Sequence, residues 1–175
     1  MYKLASYQDG QLLYWETWHG DKSLIIHEGI VGHPGKTYER NLFRTKKYES
    51  VMKALVKEKQ EEGYELVDDD ELIGFVVQYP YEEGNEQEAL NKRDKVEGIL
   101  NEHLGWTENG HADGGKIGRG TTNIFCYVLN PEVAVKTVLK ELQEKNEDDD
   151  VILAYLDKEE DDYVVAYPKG ADFDI

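Results

Sequence analysis

The segment from His27 to Tyr64 constrains the fold more than any other part of the sequence. It combines a strand pattern, a turn with glycines at Gly32 and Gly35, a second strand pattern and an amphipathic helix that ends at Gly63. Glycine at that last position can adopt the left-handed conformation that ends a helix, with Tyr64 folding back as its hydrophobic partner. The apolar residues of the helix are Tyr48, Val51, Met52, Leu55 and Val56. Their spacing of three and four places them on one face. The segment as a whole, with its two strands, its turn and its capped helix, predicts a small binding module rather than an active site.

Strand patterns rich in Tyr, Trp, Leu and Ile fill the first part of the chain. Asp9-Gly10 supplies a tight turn between the first two strands, because glycine suits the backbone conformation of hairpin turns. Thr45 is a candidate cap for the helix, since its hydroxyl can accept a hydrogen bond from a first-turn amide. The predicted strands are Met1–Tyr7, Leu12–Trp18, Leu24–His27 and Lys36–Phe43.

The acidity of the chain is concentrated in its second part. Residues 1–66 contain 10 Lys+Arg and 10 Asp+Glu and carry no net charge. Residues 67–175 contain 10 Lys+Arg and 27 Asp+Glu and therefore carry the entire net charge of −17. The change coincides with four adjacent carboxylates at 68–71, and such runs usually lie in linkers or at the ends of elements. We therefore predict two domains, residues 1–66 and residues 67–175. The acidic field of the second favours solubility and basic partners.

The second domain alternates strand and helix patterns. Its helices are predicted at Gln87–Leu104 and from Pro131, with Asn130 as the cap of the latter because proline suits a first helical turn. Its strands are predicted at Leu72–Tyr79, Thr122–Leu129, Val151–Leu156 and Tyr163–Tyr167, with a further arm within Trp106–Ile117. The order β-α-β-β-α-β-β is typical of a ferredoxin-like α+β sandwich with one added strand.

The glycine-rich stretch 110–120 has the spacing of a phosphate-binding loop up to Lys116. The next position needs a Ser or Thr hydroxyl for magnesium, and Ile117 has none. A phosphate-binding loop also leads into a helix, whereas a β-branched strand pattern follows here. The stretch therefore predicts a tight hairpin or bulge, and we expect no enzymatic activity because no catalytic set stands out.

Histidine and cysteine do not form a metal-ligand pattern in this sequence. His103, His111 and Asp113 would converge only if the glycine-rich stretch folded back on the end of the preceding helix. Structural zinc would recruit cysteines, and the single cysteine, Cys126, lies within a predicted strand, where a buried and inert thiol is expected. We expect no metal and no cofactor. A lone cysteine and the lack of a long apolar run favour a cytoplasmic protein.

A basic cluster stands out against the acidic chain. Lys36, Arg40, Arg44, Lys46 and Lys47 fall within twelve residues, opposed by one glutamate, and aromatic residues lie among them. On a strand, alternate residues share a face, so Lys36, Tyr38 and Arg40 lie on the same face. This face can bind phosphate or acidic groups, or it can dock the acidic second domain, which is always present at a high effective concentration.

Four features follow one another in the order found in a known module. They are the aromatic strand Leu13–Glu16, the strand and turn Glu28–Lys36, Phe43 ahead of the helix, and the lysine-rich segment Lys57–Tyr64. In this order of parts residues 1–66 resemble a WGR domain, a small module named for its Trp-Gly-Arg motif. The resemblance implies an antiparallel sheet with one helix. Its motif positions here are Glu28, Gly29, Ile30, Gly32 and Gly35.

Two of the three signature residues differ in this chain. Glu28 stands at the Trp position and Ile30 at the Arg position, and Gly29 alone of the three is present. In the DNA-dependent poly(ADP-ribose) polymerases the Trp stacks at a DNA end and the Arg makes interdomain contacts. Because Glu28 puts a negative charge where a base would stack, the resemblance implies the architecture rather than DNA-end binding.

We therefore expect a non-enzymatic, two-domain binding protein that takes a protein partner. The expected binding residues are Lys36, Tyr38, Arg40, Arg44 and Lys47. Two alternatives stay open. One is nucleic-acid binding through the basic residues 36–47, which the net charge and Glu28 disfavour because nucleic-acid affinity rests on cationic side chains. The other is inhibition of a basic toxin by the acidic second domain, in the manner of an immunity protein.

Overall fold

Two antiparallel sheets and three α-helices occur in residues 1–42 and 48–175, the residues that the computed structural model describes. The chain is α+β, as the sequence predicts. It divides into two units, Met1–Glu71 and Leu72–Ile175. The acidic run 68–71 lies at the end of the first unit, where Asp69–Glu71 form a short 3-10 helix.

The first unit is a five-stranded sheet with one helix. Its order is β4-β3-β2-β1-β5, and every described pairing is antiparallel. Asp9 and Gly10 both have positive φ, 50° and 80°, in the turn between the first two strands, which confirms the predicted hairpin. The elements are β1 (Tyr2–Gln8), β2 (Gln11–His19), β3 (Ser23–Ile30), β4 (Lys36–Asn41), α1 (Tyr48–Glu61) and β5 (Glu65–Leu66).

Two strands differ from the sequence prediction. β3 continues past His27 to Ile30, and the short β5, which no pattern predicted, pairs with Leu4 and Ala5 of β1. A two-residue strand has no period of its own, so only its partner reveals it. Phe43, the predicted end of the fourth strand, and Thr45, the predicted helix cap, lie outside the described residues.

Helix α1 buries its apolar stripe against the sheet. Met52 and Val56 are buried, and Val56 packs with Leu4 and Trp15. The helix ends as predicted, because Gly63 has a φ of 91° and the amide of Tyr64 donates to the carbonyl of Lys59 at 3.0 Å. This pairing is the one that closes a helix with a left-handed glycine.

The second unit has the ferredoxin-like order with one added strand. Its sheet runs β10-β9-β6-β8-β7, so β6 is central and β10 extends the edge beside β9. Both helices cover one face, where Phe75, Val77 and Leu100 belong to a single buried core. The elements are β6 (Ile73–Pro80), α2 (Glu86–Trp106), β7 (Gly110–Gly118), β8 (Thr121–Val128), α3 (Pro131–Glu144), β9 (Ile152–Asp157) and β10 (Asp162–Tyr167).

The glycine-rich stretch forms strand β7 and the hairpin to β8, which confirms the predicted hairpin and bulge. The register shifts between Ala112 and Gly115, and a turn at Arg119 and Gly120 leads directly into β8. A side chain at Gly110 would overlap the carbonyl oxygen of Tyr127. Close approach of two strands, rather than phosphate binding, therefore accounts for glycine at this position.

Candidate functional site

The first unit contains a groove between the turn that follows β3 and the last turns of α1. Its volume is about 490 Å³, and a depression of about 330 Å³ adjoins it. The two share Glu28, Tyr38 and Lys59. We call the combined surface the Glu28 groove and define it by Glu28, Gly29, Lys36, Tyr38, Lys59 and Tyr64.

Strand β4 forms one rim of the Glu28 groove. It is an edge strand, and all six of its residues are exposed. Lys36, Tyr38 and Arg40 pair with Glu28, Ile26 and Leu24 of β3. Since Ile26 packs against the core beneath α1, alternation along the strand places all three β4 side chains on the helix side of the sheet.

The structure brings together part of the predicted binding set. Lys36 and Tyr38 line the Glu28 groove, and Tyr38 is 48% exposed. Arg40 lies two residues further along the same face of β4. Arg44 and Lys47 lie outside the described residues.

Lys59 of α1 lies between two glutamates at the centre of the groove. Its Nζ lies 2.8 Å from Glu62 Oε2 and 3.8 Å from Glu28 Oε2, and it stands 5.2 Å from the centroid of the Tyr64 ring. Burial disfavours its charge, but the hydrogen bond with Glu62 and the charges of Glu62 and Glu28 outweigh burial and raise the pKa of this amine. Lys59 therefore stays cationic at neutral pH and faces the Glu28 carboxylate across the groove.

Two of the motif positions allow the turn to pack against Tyr14. A side chain at Gly35 would overlap Tyr14 Oη and would come within 2.5 Å of the carbonyl oxygen of Glu28. A Cβ at Gly29 would lie 2.9 Å from the Cα of Gly35. The close packing of the turn on Tyr14 therefore explains glycine at both positions.

Buried polar side chains lie beneath this turn. Tyr14 Oη is 3.0 Å from His27 Nε2, and His27 Nδ1 is 3.0 Å from Glu16 Oε1. The three come from facing positions of β2 and β3, where His27 pairs with Glu16. The sequence carries one usable signal for them, because Tyr14 and Glu16 are two residues apart and so share a face of their strand.

The other residues considered in the sequence do not converge. His103 faces α3, where its Nδ1 lies 3.5 Å from Glu141 Oε2, and burial lowers its pKa. His111 lies on the opposite face of the sheet, with its ring 5.8 Å from that of Tyr127. Cys126 is buried, as predicted, at 1% exposure, and burial raises the pKa of its thiol to about 12.

Comparison with known protein families, with curated proteins and with solved structures finds no match to this chain. Among the described residues, no helix combines the length and the apolar character needed to cross a membrane. The Glu28 groove offers side chains of both charges and two tyrosines beside an exposed strand edge, which suits binding of an extended chain.

Proposed function

We propose that this chain is a non-enzymatic binding protein whose first unit, a WGR-like module, holds an extended segment of a protein partner along β4. The observation that carries the proposal is that all six residues of this edge strand are exposed beside the Glu28 groove. An edge strand presents unpaired N–H and C=O groups, and a partner strand can satisfy them. Within the described ranges β4 pairs with β3 alone.

The groove supports recognition of side chains on the added strand. Every second side chain of an extended peptide would point toward the helix side of the sheet, where Tyr38, Lys59 and Tyr64 line the groove. Main-chain hydrogen bonds would supply affinity, and these side chains would supply selectivity. Tyrosine is enriched at protein interfaces because it offers a large apolar face together with a hydroxyl.

The charges around the groove favour a protein over a nucleic acid. Glu28, Glu58 and Glu62 line the depression beside Lys59, and the first and last of them lie within 4 Å of its Nζ. Phosphate binding relies on cations that displace counterions, and these three carboxylates oppose it. A polypeptide can match the mixed charges of the groove with side chains of both signs.

Site-specific photocrosslinking tests the proposal. We expect a protein in which Tyr38 is replaced by benzoylphenylalanine to form a covalent adduct with a partner in cells of the native host. The matched control carries the same group at Tyr7, a tyrosine of β1 that is 71% exposed and lies outside the groove. Only the Tyr38 position should give a discrete adduct, which mass spectrometry would identify.

Equal adducts at both positions, or none at either, would show that β4 is not a preferred contact. A nucleic acid retained by the Tyr38 crosslinker would instead support the basic-cluster alternative. Adding the change Lys36→Glu should weaken the Tyr38 adduct, because Lys36 lines the same groove.

A further inference from the structure

A second cavity lies in the second unit, on the sheet face opposite the helices, and it does not depend on the function proposed above. Gln78 of β6 and Asn123 of β8 are neighbours in the register, and both line a cavity of about 550 Å³. They are 2% and 1% exposed. Burying a carboxamide costs free energy unless its polar atoms find partners. Two buried carboxamides are therefore an unusual base for a cavity on this sheet.

The hydrogen bonds of Gln78 leave one acceptor unused. Its Nε2 donates to Asn123 Oδ1 at 2.7 Å and to the carbonyl oxygen of Asp174 at 2.9 Å. A carbonyl can only accept, so the amide nitrogen must face Asp174. In the part of the chain that the structure describes, no protein donor reaches Gln78 Oε1, and this oxygen is not sealed off from solvent. A ligand that brings an N–H group would satisfy it.

Side chains of opposite charge line the same cavity without meeting. Lys116 of β7 and Arg119 of the following turn line it together with Asp172 and Asp174. Among the described residues, no ion pair within 4.0 Å joins these two cations to the two aspartates. A ligand with one charge would be attracted by two of these side chains and repelled by the other two. A ligand that carries both charges suits the cavity.

The remaining lining is largely apolar, and Thr121 adds one hydroxyl to it. Ile117 and Phe173 line the cavity, and the Phe173 ring is held 5.7 Å from that of Tyr163. The volume of about 550 Å³ falls in the range of roughly 300–1,000 Å³ that small-molecule sites occupy. The cavity therefore has room for a small molecule with an apolar group as well as its two charges.

We propose that this cavity binds a free α-amino acid with an apolar side chain. Lys116 and Arg119 receive its carboxylate. Asp172, Asp174 and Gln78 Oε1 receive its ammonium group, and Phe173 packs against its side chain. Recognition rests on both charges together, because each pair of charged side chains attracts only one of the two groups.

Isothermal titration calorimetry on the full chain tests this with defined probes. L-leucine and L-phenylalanine should bind. N-acetyl-leucine, which lacks the ammonium group, and leucinamide, which lacks the carboxylate, should bind at least tenfold more weakly. Glycine should also bind more weakly, because it offers nothing for Phe173 to contact. If neither leucine nor phenylalanine binds, or if N-acetyl-leucine binds as well as leucine, the proposal is wrong.

Matched variants assign the binding to this cavity. Arg119→Met should weaken leucine binding at least tenfold, because it removes a cation that receives the carboxylate. Lys136→Met removes an exposed cation of α3, which lies outside the cavity, and should leave the dissociation constant unchanged. Circular dichroism would show that both variants are folded. Equal affinities for Arg119→Met and the parent would overturn the assignment.

Discussion

Gly35 shows how much of the first unit depends on one missing side chain. A Cβ there would overlap Tyr14 Oη and would lie 2.8 Å from His27 Nε2 and 2.5 Å from a backbone carbonyl oxygen. A backbone atom cannot move aside as a flexible side chain can. We expect Gly35→Ala to lower the free energy of unfolding by about 1–3 kcal/mol, the usual cost of overpacking a filled site. Urea denaturation would measure it.

Gly98→Ala is the matched control for Gly35→Ala. Gly98 lies in helix α2 with nothing within 4 Å of an added Cβ. Alanine there should raise the free energy of unfolding by about 0.5–1 kcal/mol, because glycine in a helix interior is the more flexible residue. If Gly35→Ala were as stable as the parent, the close packing of the turn on Tyr14 would be disproved.

Asn109 is a residue whose role the sequence did not reveal. It is buried, its side-chain nitrogen donates to the carbonyl of Asn130, and its Oδ1 accepts from the amide of the same residue. The capping role of Asn130 was predictable, and it is confirmed by a 3.0 Å bond from the amide of Val133. A cap is a local pattern, whereas Asn109 acts on a residue 21 positions away, and no period in the sequence marks that pairing.

At the scale of elements, His103 joins α2 to α3 and makes the packing of these helices sensitive to pH. Its pKa is lowered below the ordinary 6.5 by burial, which outweighs the opposing charges of Glu141 and Glu144. As the pH falls below about 6.5, the unfolded chain takes up this proton before the folded protein does. The free energy of unfolding therefore declines as the pH falls below about 6.5. Above that pH the contribution of the neutral His103 is fully retained.

We expect His103→Gln to remove the part of this decline that belongs to His103. The measurement is the free energy of unfolding in urea at pH 7.5, 6.5 and 5.5, compared between variant and parent. His111→Gln replaces an exposed histidine on the other side of the sheet and controls for the loss of an imidazole. A variant that loses as much stability as the parent between pH 7.5 and 5.5 would contradict this assignment.

Most helices and strands were predictable because their patterns are local. The apolar stripe of α1, the order of elements in the second unit and the glycine-rich hairpin all follow from spacing and turn residues. The groove was predictable only in part. Lys36 and Tyr38 share a strand face, but Lys59 and Tyr64 reach the groove from α1 and from the residues that follow it. Tertiary packing brings these four together, and sequence spacing does not record it.

At the scale of the whole molecule, charge is the dominant property. The net charge is −17, and Leu72–Ile175 contain 23 Asp+Glu against 10 Lys+Arg. Repulsion among like charges destabilises a compact state, and salt screens it. We expect the thermal midpoint to rise when NaCl is raised from 10 to 200 mM. A gain of about 1 kcal/mol would raise it by about 2–4 °C.

Two variants of opposite sign check the origin of this response to salt. The double change Asp149→Asn and Asp150→Asn removes two exposed negative charges and should reduce the rise. Asparagine also tolerates the positive φ of 57° at Asp150. Lys136→Gln makes the chain more acidic and should increase the rise. A midpoint that falls with salt in the parent protein would show that attractive ion pairs outweigh the repulsion.

The burial of Cys126 has a practical consequence for work on this protein. Its thiol is buried and stays protonated at neutral pH. Maleimide reagents should therefore not react with it while the protein is folded. The sequence holds no other cysteine. One cysteine introduced at a chosen surface position would then be the single reactive point, and a fluorophore or spin label could be attached there without first removing the native thiol.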